Sequence, residues 1–222
     1  MTRSHALTSL WHRHPANSRP CGCRARTAGD QDEMVDETIK VLGLAGSLRR
    51  DSYNRALLRA AVQLAPAGVL VETFDELGSI PYFDADVESA GNPAGVDDLR
   101  RAIAEADALL IATPEYNDGT SAVLKNALDW ASRGPVRLMA GKPVAVMGTS
   151  PGRGAARGGI ESVLRTVRRT GSDVLDHAVA VPLAPQAFDE DLGLVDPRVR
   201  AEVAGLVAEL VARVRTAVDF AA

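Results

Sequence analysis

Three polar stretches interrupt apolar runs in this 222-residue chain. Residues 46 to 54 read GSLRRDSYN, 114 to 117 read PEYN, and 148 to 159 read GTSPGRGAARGG. The first gathers Ser47, Ser52 and Asn54, short side chains that donate hydrogen bonds, around Arg49, a charged fork. A helix beginning there adds free N–H groups and a positive dipole end. Together these suit a phosphate. The spacing is not that of a dinucleotide fingerprint, since Gly43-Leu44-Ala45-Gly46 lacks GxGxxG, and no Gly-Lys-Ser/Thr marks a Walker loop. In the second stretch Tyr116 can lie against a flat ring, and Asn117 with nearby backbone can bond its polar edge. In the third, Ser150, Pro151 and Gly152 lead a glycine-rich run that lets backbone approach a planar ligand. Plainer roles compete. Ser52 can cap a helix, Asn117 or Asp118 can cap the next, and the glycines can be a simple connection. Capping does not account for Glu115-Tyr116 beside them.

The elements that carry these stretches alternate. Apolar runs at 39–46, 69–74, 108–113, 143–150 and 173–182 predict strands. Helical spacing predicts helices over 53–65, 96–106, 119–132, 155–169 and from Pro197 to about 219. Pro81 breaks the intervening SIPYFDAD into a loop, and Gly134-Pro135 stops a helix. Gly171 is an expected C-cap, and Asp196 an N-cap before a proline at the first helical position. Five short apolar strands separated by five helices imply a parallel, doubly wound α/β sheet covered by helices on both faces. The ligand then belongs outside the carboxyl ends of the strands, where all three polar stretches fall.

The first 33 residues differ in kind. They hold five arginines, three of the four histidines and no acid before Asp30, with no apolar periodicity. A disordered extension over residues 1–36 is expected, with a single domain over 37–222. Met34 is the expected start, in preference to an organelle transit peptide, which this composition also resembles. His12, His14, Cys21 and Cys23 offer four zinc ligands, but HxH and CxC are spaced too tightly for a zinc site, and no metal is expected. The net charge of −4 argues against a nucleic-acid partner. No apolar run is long enough to span a membrane. Two cysteines, both in this extension, require no oxidising compartment, and a cytoplasmic location is expected.

GSLRRDSYN, then PEYN followed by LKNALDW, then GTSPG, in this order, resemble the NAD(P)H-dependent FMN reductases, a family that includes quinone, azo-dye and chromate reductases. The resemblance covers roughly residues 38 to 185. It implies a flavodoxin-like five-stranded sheet of order 2-1-3-4-5 with tightly bound FMN. It places Ser47, Arg49, Ser52 and Asn54 on the FMN phosphate. Pro114, Glu115, Tyr116 and Asn117 would line the ribityl chain and ring, and Ser150, Pro151 and Gly152 the ring's far side. The implied reaction is hydride transfer from NAD(P)H through FMN to a small acceptor: a quinone, free flavin, azo compound or chromate. The cofactor carries the reaction, so no catalytic acid or base is expected, Glu115 included. The competing reading is a flavodoxin-type FMN-binding electron carrier, whose phosphate loop usually lacks an arginine such as Arg49. The family also implies a homodimer or homotetramer built through the helix after PEYN, where Trp130 could serve the interface or the core. Gly119 and Ser121 stand where the family often has Ser and Pro, which leaves the capping of that helix open. His177 is expected in the core or an interface, and Arg165, Arg168 and Arg169 on a solvated helix face.

Overall fold

The structure, a computed structural model, describes residues 38–134 and 136–221. The expected N-terminal extension with His12, His14, Cys21 and Cys23, and the expected helix stop at Pro135, lie outside the described residues. Along the chain run β1 (Ile39–Ala45), α1 (Tyr53–Leu64), β2 (Val69–Phe74), a 3-10 turn (Glu76–Ser79), α2 (Ala85–Ala90), α3 (Ala94–Glu105) and β3 (Ala108–Thr113). Then come α4 (Ala122–Ala131), β4 (Pro143–Thr149), α5 (Arg157–Arg169), β5 (Asp173–Val174), β6 (Val179–Val181), α6 (Ala184–Ala187) and α7 (Pro197–Ala221).

The sheet is parallel with order β2-β1-β3-β4-β5, and β6 also pairs with β4. Every residue of β3 and β4 is buried, as strands covered on both faces require. Alternate side chains feed two cores. Leu110, Ala112, Ala145 and Met147 share one with α1 and α7. Leu109, Ile111, Val144 and Val146 share the other with α3, α4 and α5.

The last expected strand is in two pieces. β5 pairs with the start of β4, and β6 with its end. Between them Asp176 and His177 leave the ladder, because polar side chains have no place on a sheet covered on both faces. His177 is therefore exposed rather than in the core, with Nδ1 3.0 Å from Glu209 Oε2 of α7. α2, α6 and the 3-10 turn are further elements the periodicity did not predict, each too short to show a helical stripe.

α2 interrupts the expected loop and is tied down by Glu88, which pairs with Arg133 at 2.9 Å. Arg133 lies over the Phe83 ring at 5.3 Å, and Phe83 packs edge-on to Trp130. Trp130 is fully buried, and its Nε1–H donates to Pro81 O at 2.9 Å. Within the chain it is a core residue that anchors the loop before α2.

The expected caps at the two later helices hold. Gly171 follows α5 at φ 84, and Asp196 Oδ1 accepts from Arg198 N–H at 2.8 Å. α4 is capped by Ser121, whose Oγ accepts from Leu124 N–H at 3.3 Å, not by Asn117 or Asp118. Ser121→Ala is expected to cost about 1 kcal/mol, read as a lower melting temperature.

Candidate functional site

β2 lies on one side of β1 and β3 on the other, so the strand order reverses at β1 and opens a crevice at the carboxyl edge. The loops after β1, β3 and β4 leave the sheet there.

In the first loop Ser47 is 6% exposed, and its hydroxyl, which is not buried, has no hydrogen-bond partner among the described residues. Ser52 is the N-cap of α1, its Oγ accepting from Arg55 N–H at 3.4 Å. That role leaves the hydroxyl proton free to donate outward, so capping and ligand binding are compatible. Arg49 is exposed, donates from Nη2 to Asp51 O at 3.2 Å, and faces no carboxylate among the described residues. The first N–H groups of α1 have no partner within the helix.

Asn54 is turned inward. Its Nδ2 donates to Thr149 O, and its Oδ1 accepts from Thr149 N–H, both at 3.0 Å. The side chain thus ties the start of α1 to the end of β4. Gly46 closes the same edge from the first loop. It does not sit at positive φ; instead a Cβ there would meet Pro114 Cδ at 2.9 Å and Ser121 Oγ at 3.0 Å. It serves close approach of the second loop, not a tight turn.

The second loop is a hairpin. Tyr116 and Gly119 exchange backbone bonds of 2.9 and 3.1 Å, and Asn117 and Asp118 take φ of 51° and 60°. Positive φ at both central residues is the turn that matches strand twist, and Asn and Asp tolerate it best after glycine. Pro114 is buried, while Tyr116 is 53% exposed at the rim. Thr113 Oγ1 donates to Pro114 O at 2.8 Å and fixes the exit from β3.

The third loop is braced from behind. Leu183 N–H donates to Gly152 O, and Ala184 N–H to Ser150 O, each at 3.0 Å. Ser150 Oγ donates to Gly152 O at 3.3 Å. α6, absent from the sequence reading, is thus what holds Ser150 to Gly152. Space beside Gly152 and Gly154 is open, with nothing within 4 Å of an added Cβ. The left-handed positions of this loop are Ala155 and Ala156, not its glycines.

Gly158 and Gly159 have another purpose. A Cβ on Gly159 would meet Pro114 O at 2.3 Å, and one on Gly158 would meet Asp118 O at 3.0 Å. The hairpin lies directly against the start of α5. There Glu115 Oε2 accepts the Gly158 N–H at 2.7 Å. Sequence reasoning found no partner for Glu115 and did not single out Thr149, Gly158 or Gly159. One signal was present: α5 begins after Ala155-Ala156, with no Ser, Thr, Asp or Asn to cap it.

The three loops are therefore cross-braced: first to second at Gly46, first to third through Asn54, second to third through Glu115. They bring the Ser47, Arg49 and Ser52 side chains, the exposed Tyr116 and the open space beside Gly152 and Gly154 to the same edge of the sheet. Arg165, Arg168 and Arg169 are exposed on α5, away from this edge. A cavity of about 460 Å³ between α4 and α5, lined by Leu128, Arg137, Met139 and Arg169, lies at the amino edge of the sheet. Two displaced titrations also lie elsewhere. The hydrogen bond and charge of Glu88 raise Arg133, and burial lowers Lys142 against the opposing charge of Asp107. Among the described residues no cluster of His, Cys, Asp or Glu could hold a metal, and no helix is long and apolar enough to cross a membrane.

A family model described as NADPH-dependent FMN reductase matches residues 39–185. An NAD(P)H-dependent FMN reductase of Pseudomonas aeruginosa is 42% identical over 167 residues, covering 75% of this chain and 90% of its own. An NADPH:quinone oxidoreductase of Arabidopsis thaliana is 38% identical, covering 73% of this chain and 85% of its own. Among solved structures, a flavoenzyme NAD(P)H:(acceptor) oxidoreductase from Paracoccus denitrificans superposes with a TM-score of 0.73 at 29% identity, over 80% of this chain and 98% of that one.

Proposed function

Because this chain belongs to the NADPH-dependent FMN reductase family, we propose that the three cross-braced loops are its FMN site. The protein is an NAD(P)H-dependent flavin oxidoreductase acting on small acceptors such as quinones. When bound, FMN supplies the hydride-accepting and electron-passing chemistry; the chain binds, orients and shields it.

The observation that carries the assignment is the convergence of donors without a carboxylate partner at the start of α1: the Ser47 hydroxyl, which makes no bond within the protein and reaches the crevice, beside Ser52, Arg49 and the free N–H groups of α1. A hydroxyl not engaged within the protein is available to donate to a ligand. A phosphate fits that donor set. Ser47, Ser52 and Arg49 hold it through their side chains, and Asn54 through its first-turn N–H, its carboxamide being engaged with Thr149. Pro114, Glu115, Tyr116 and Asn117 line one side of the ribityl chain and ring. Ser150, Pro151 and Gly152 line the other, where open space admits a flat ring. No acid or base is assigned. The family resemblance supports a reductase domain over residues 37–222, a homodimer or homotetramer, and a cytoplasmic location.

The test is a visible spectrum of the purified chain, followed by NADPH without oxygen. A flavin spectrum that bleaches is expected. A flavin that stays oxidised with both NADPH and NADH would instead make this an electron carrier. A chain that takes up no FMN would remove the site assignment. Arg49→Ala is expected to raise the FMN dissociation constant about tenfold or more, the loss of one charge-assisted contact, with riboflavin binding unchanged. Flavin fluorescence titration checks both.

A further inference from the structure

We propose that Glu115 is a positioning residue: its carboxylate caps α5 from across the crevice, latching the 114–119 hairpin to the glycine-rich loop, and flavin-ring affinity depends on that latch. The ring-affinity part rests on the FMN reading above; the capping part does not.

α5 has no cap of its own. Ala156 stands at its N-cap with φ 56° and ψ 27° and makes no side-chain bond. Gly158 N–H is among the groups at a helix start that no intrahelical carbonyl can reach. Its partner comes from 43 residues earlier, Glu115 Oε2 at 2.7 Å. The donor is at the positive end of a 13-residue helix, where an acceptor carrying full negative charge is favoured. Glu115 is half-buried and has no cation partner among the described residues. The latch is thus the one bond its carboxylate makes there.

The hairpin needs such a bond. Two backbone bonds close it, between Tyr116 and Gly119, and two of its residues hold positive φ. A two-stranded ribbon of this size is not stable alone. Pro114 is buried at its base, but Tyr116, Asn117 and Asp118 are exposed. What fixes the tip is its seat on Gly158 and Gly159 and the Glu115 bond. Gly158 and Gly159 permit the approach; Glu115 holds it. Without the carboxylate the tip is free to swing from α5, and the ring side of the crevice changes width. The first loop meets the hairpin at its buried base, where Gly46 packs against Pro114, and not at the tip.

Two variants of the full chain separate this from a general role in folding. Glu115→Ala removes the acceptor, and Glu115→Gln keeps one oxygen that can accept the Gly158 N–H. Glu115→Ala is expected to weaken FMN and riboflavin alike, each by about tenfold, in contrast to the FMN-only effect of Arg49→Ala. Glu115→Gln is expected to stay within about threefold of wild type. In hydrogen exchange of the flavin-free chain, Glu115→Ala should speed exchange in residues 114–120 and 156–160 and nowhere else. Unchanged exchange in those segments overturns the capping, as does exchange that rises evenly along the chain. Unchanged flavin affinities overturn the dependence of the ring site on it. A wild-type chain that takes up neither flavin overturns the FMN reading and the ring-affinity claim together, while the exchange comparison still decides whether Glu115 caps α5.

Discussion

Gly159→Ala is expected to abolish FMN uptake and to destabilise the fold by about 2–4 kcal/mol. The added Cβ would lie 2.3 Å from Pro114 O, 3.0 Å from Pro114 C and 3.1 Å from Glu115 Cα. All three are backbone atoms, so no rotamer change relieves the clash. Either α5 shifts on the sheet or the PEYN hairpin leaves its seat. The first breaks the packing of Ile160 and Val163, both buried in the core shared with β3 and β4. The second pulls the ring-side loop away from the crevice. Gly205→Ala on α7 is the control: nothing lies within 4 Å of that Cβ, and alanine in an exposed helix is worth up to about 1 kcal/mol over glycine. Thermal unfolding and flavin titration of both variants measure the difference. A Gly159→Ala chain that melts and binds FMN as wild type does would mean that the second and third loops are not packed as described.

Asn54→Leu is expected to lose about 2–4 kcal/mol and most FMN affinity, by another route. Asn54 is 4% exposed and Thr149 2%. The leucine fills the volume but offers nothing to Thr149 N–H or Thr149 O, each now bonded at 3.0 Å. Leaving a buried donor and a buried acceptor unmet costs about 1–3 kcal/mol each. The end of β4 then loses its hydrogen-bonded brace to α1, and the third loop its registry with the first. Asn54→Asp separates the two bonds. A carboxylate can still accept from Thr149 N–H but faces Thr149 O without a proton to donate. It is expected to fall between wild type and Asn54→Leu at neutral pH, and to recover as acid protonates it. Urea unfolding at two pH values reads this directly.

The amino-acid order by itself determined the alternation of strand and helix and the three loops that matter. Apolar runs of strand length and helical stripes arise from neighbours a few residues apart, so periodicity records them. That is why β1 to β4 and α1, α3, α4, α5 and α7 are legible, with bounds off by a few residues where caps decide the end. Ser121 rather than Asn117 begins α4 because the hairpin consumes Asn117 and Asp118 in its turn. The sheet order came from family resemblance and stands in the structure.

Only the tertiary structure decided what the loop residues do to one another. Asn54 meets Thr149 across 95 positions, and Glu115 meets Gly158 across 43. Gly46 and Gly159 are glycines because another loop's backbone or side chain occupies the place of a Cβ. None of these leaves a local trace, since strand order and crossover hand choose the partners. The interruption between β5 and β6 is of the same kind: only against a covered sheet do Asp176 and His177 have to turn outward. Local spacing specifies which residues form an element, whereas the neighbour across the crevice is set by how the whole sheet is wound.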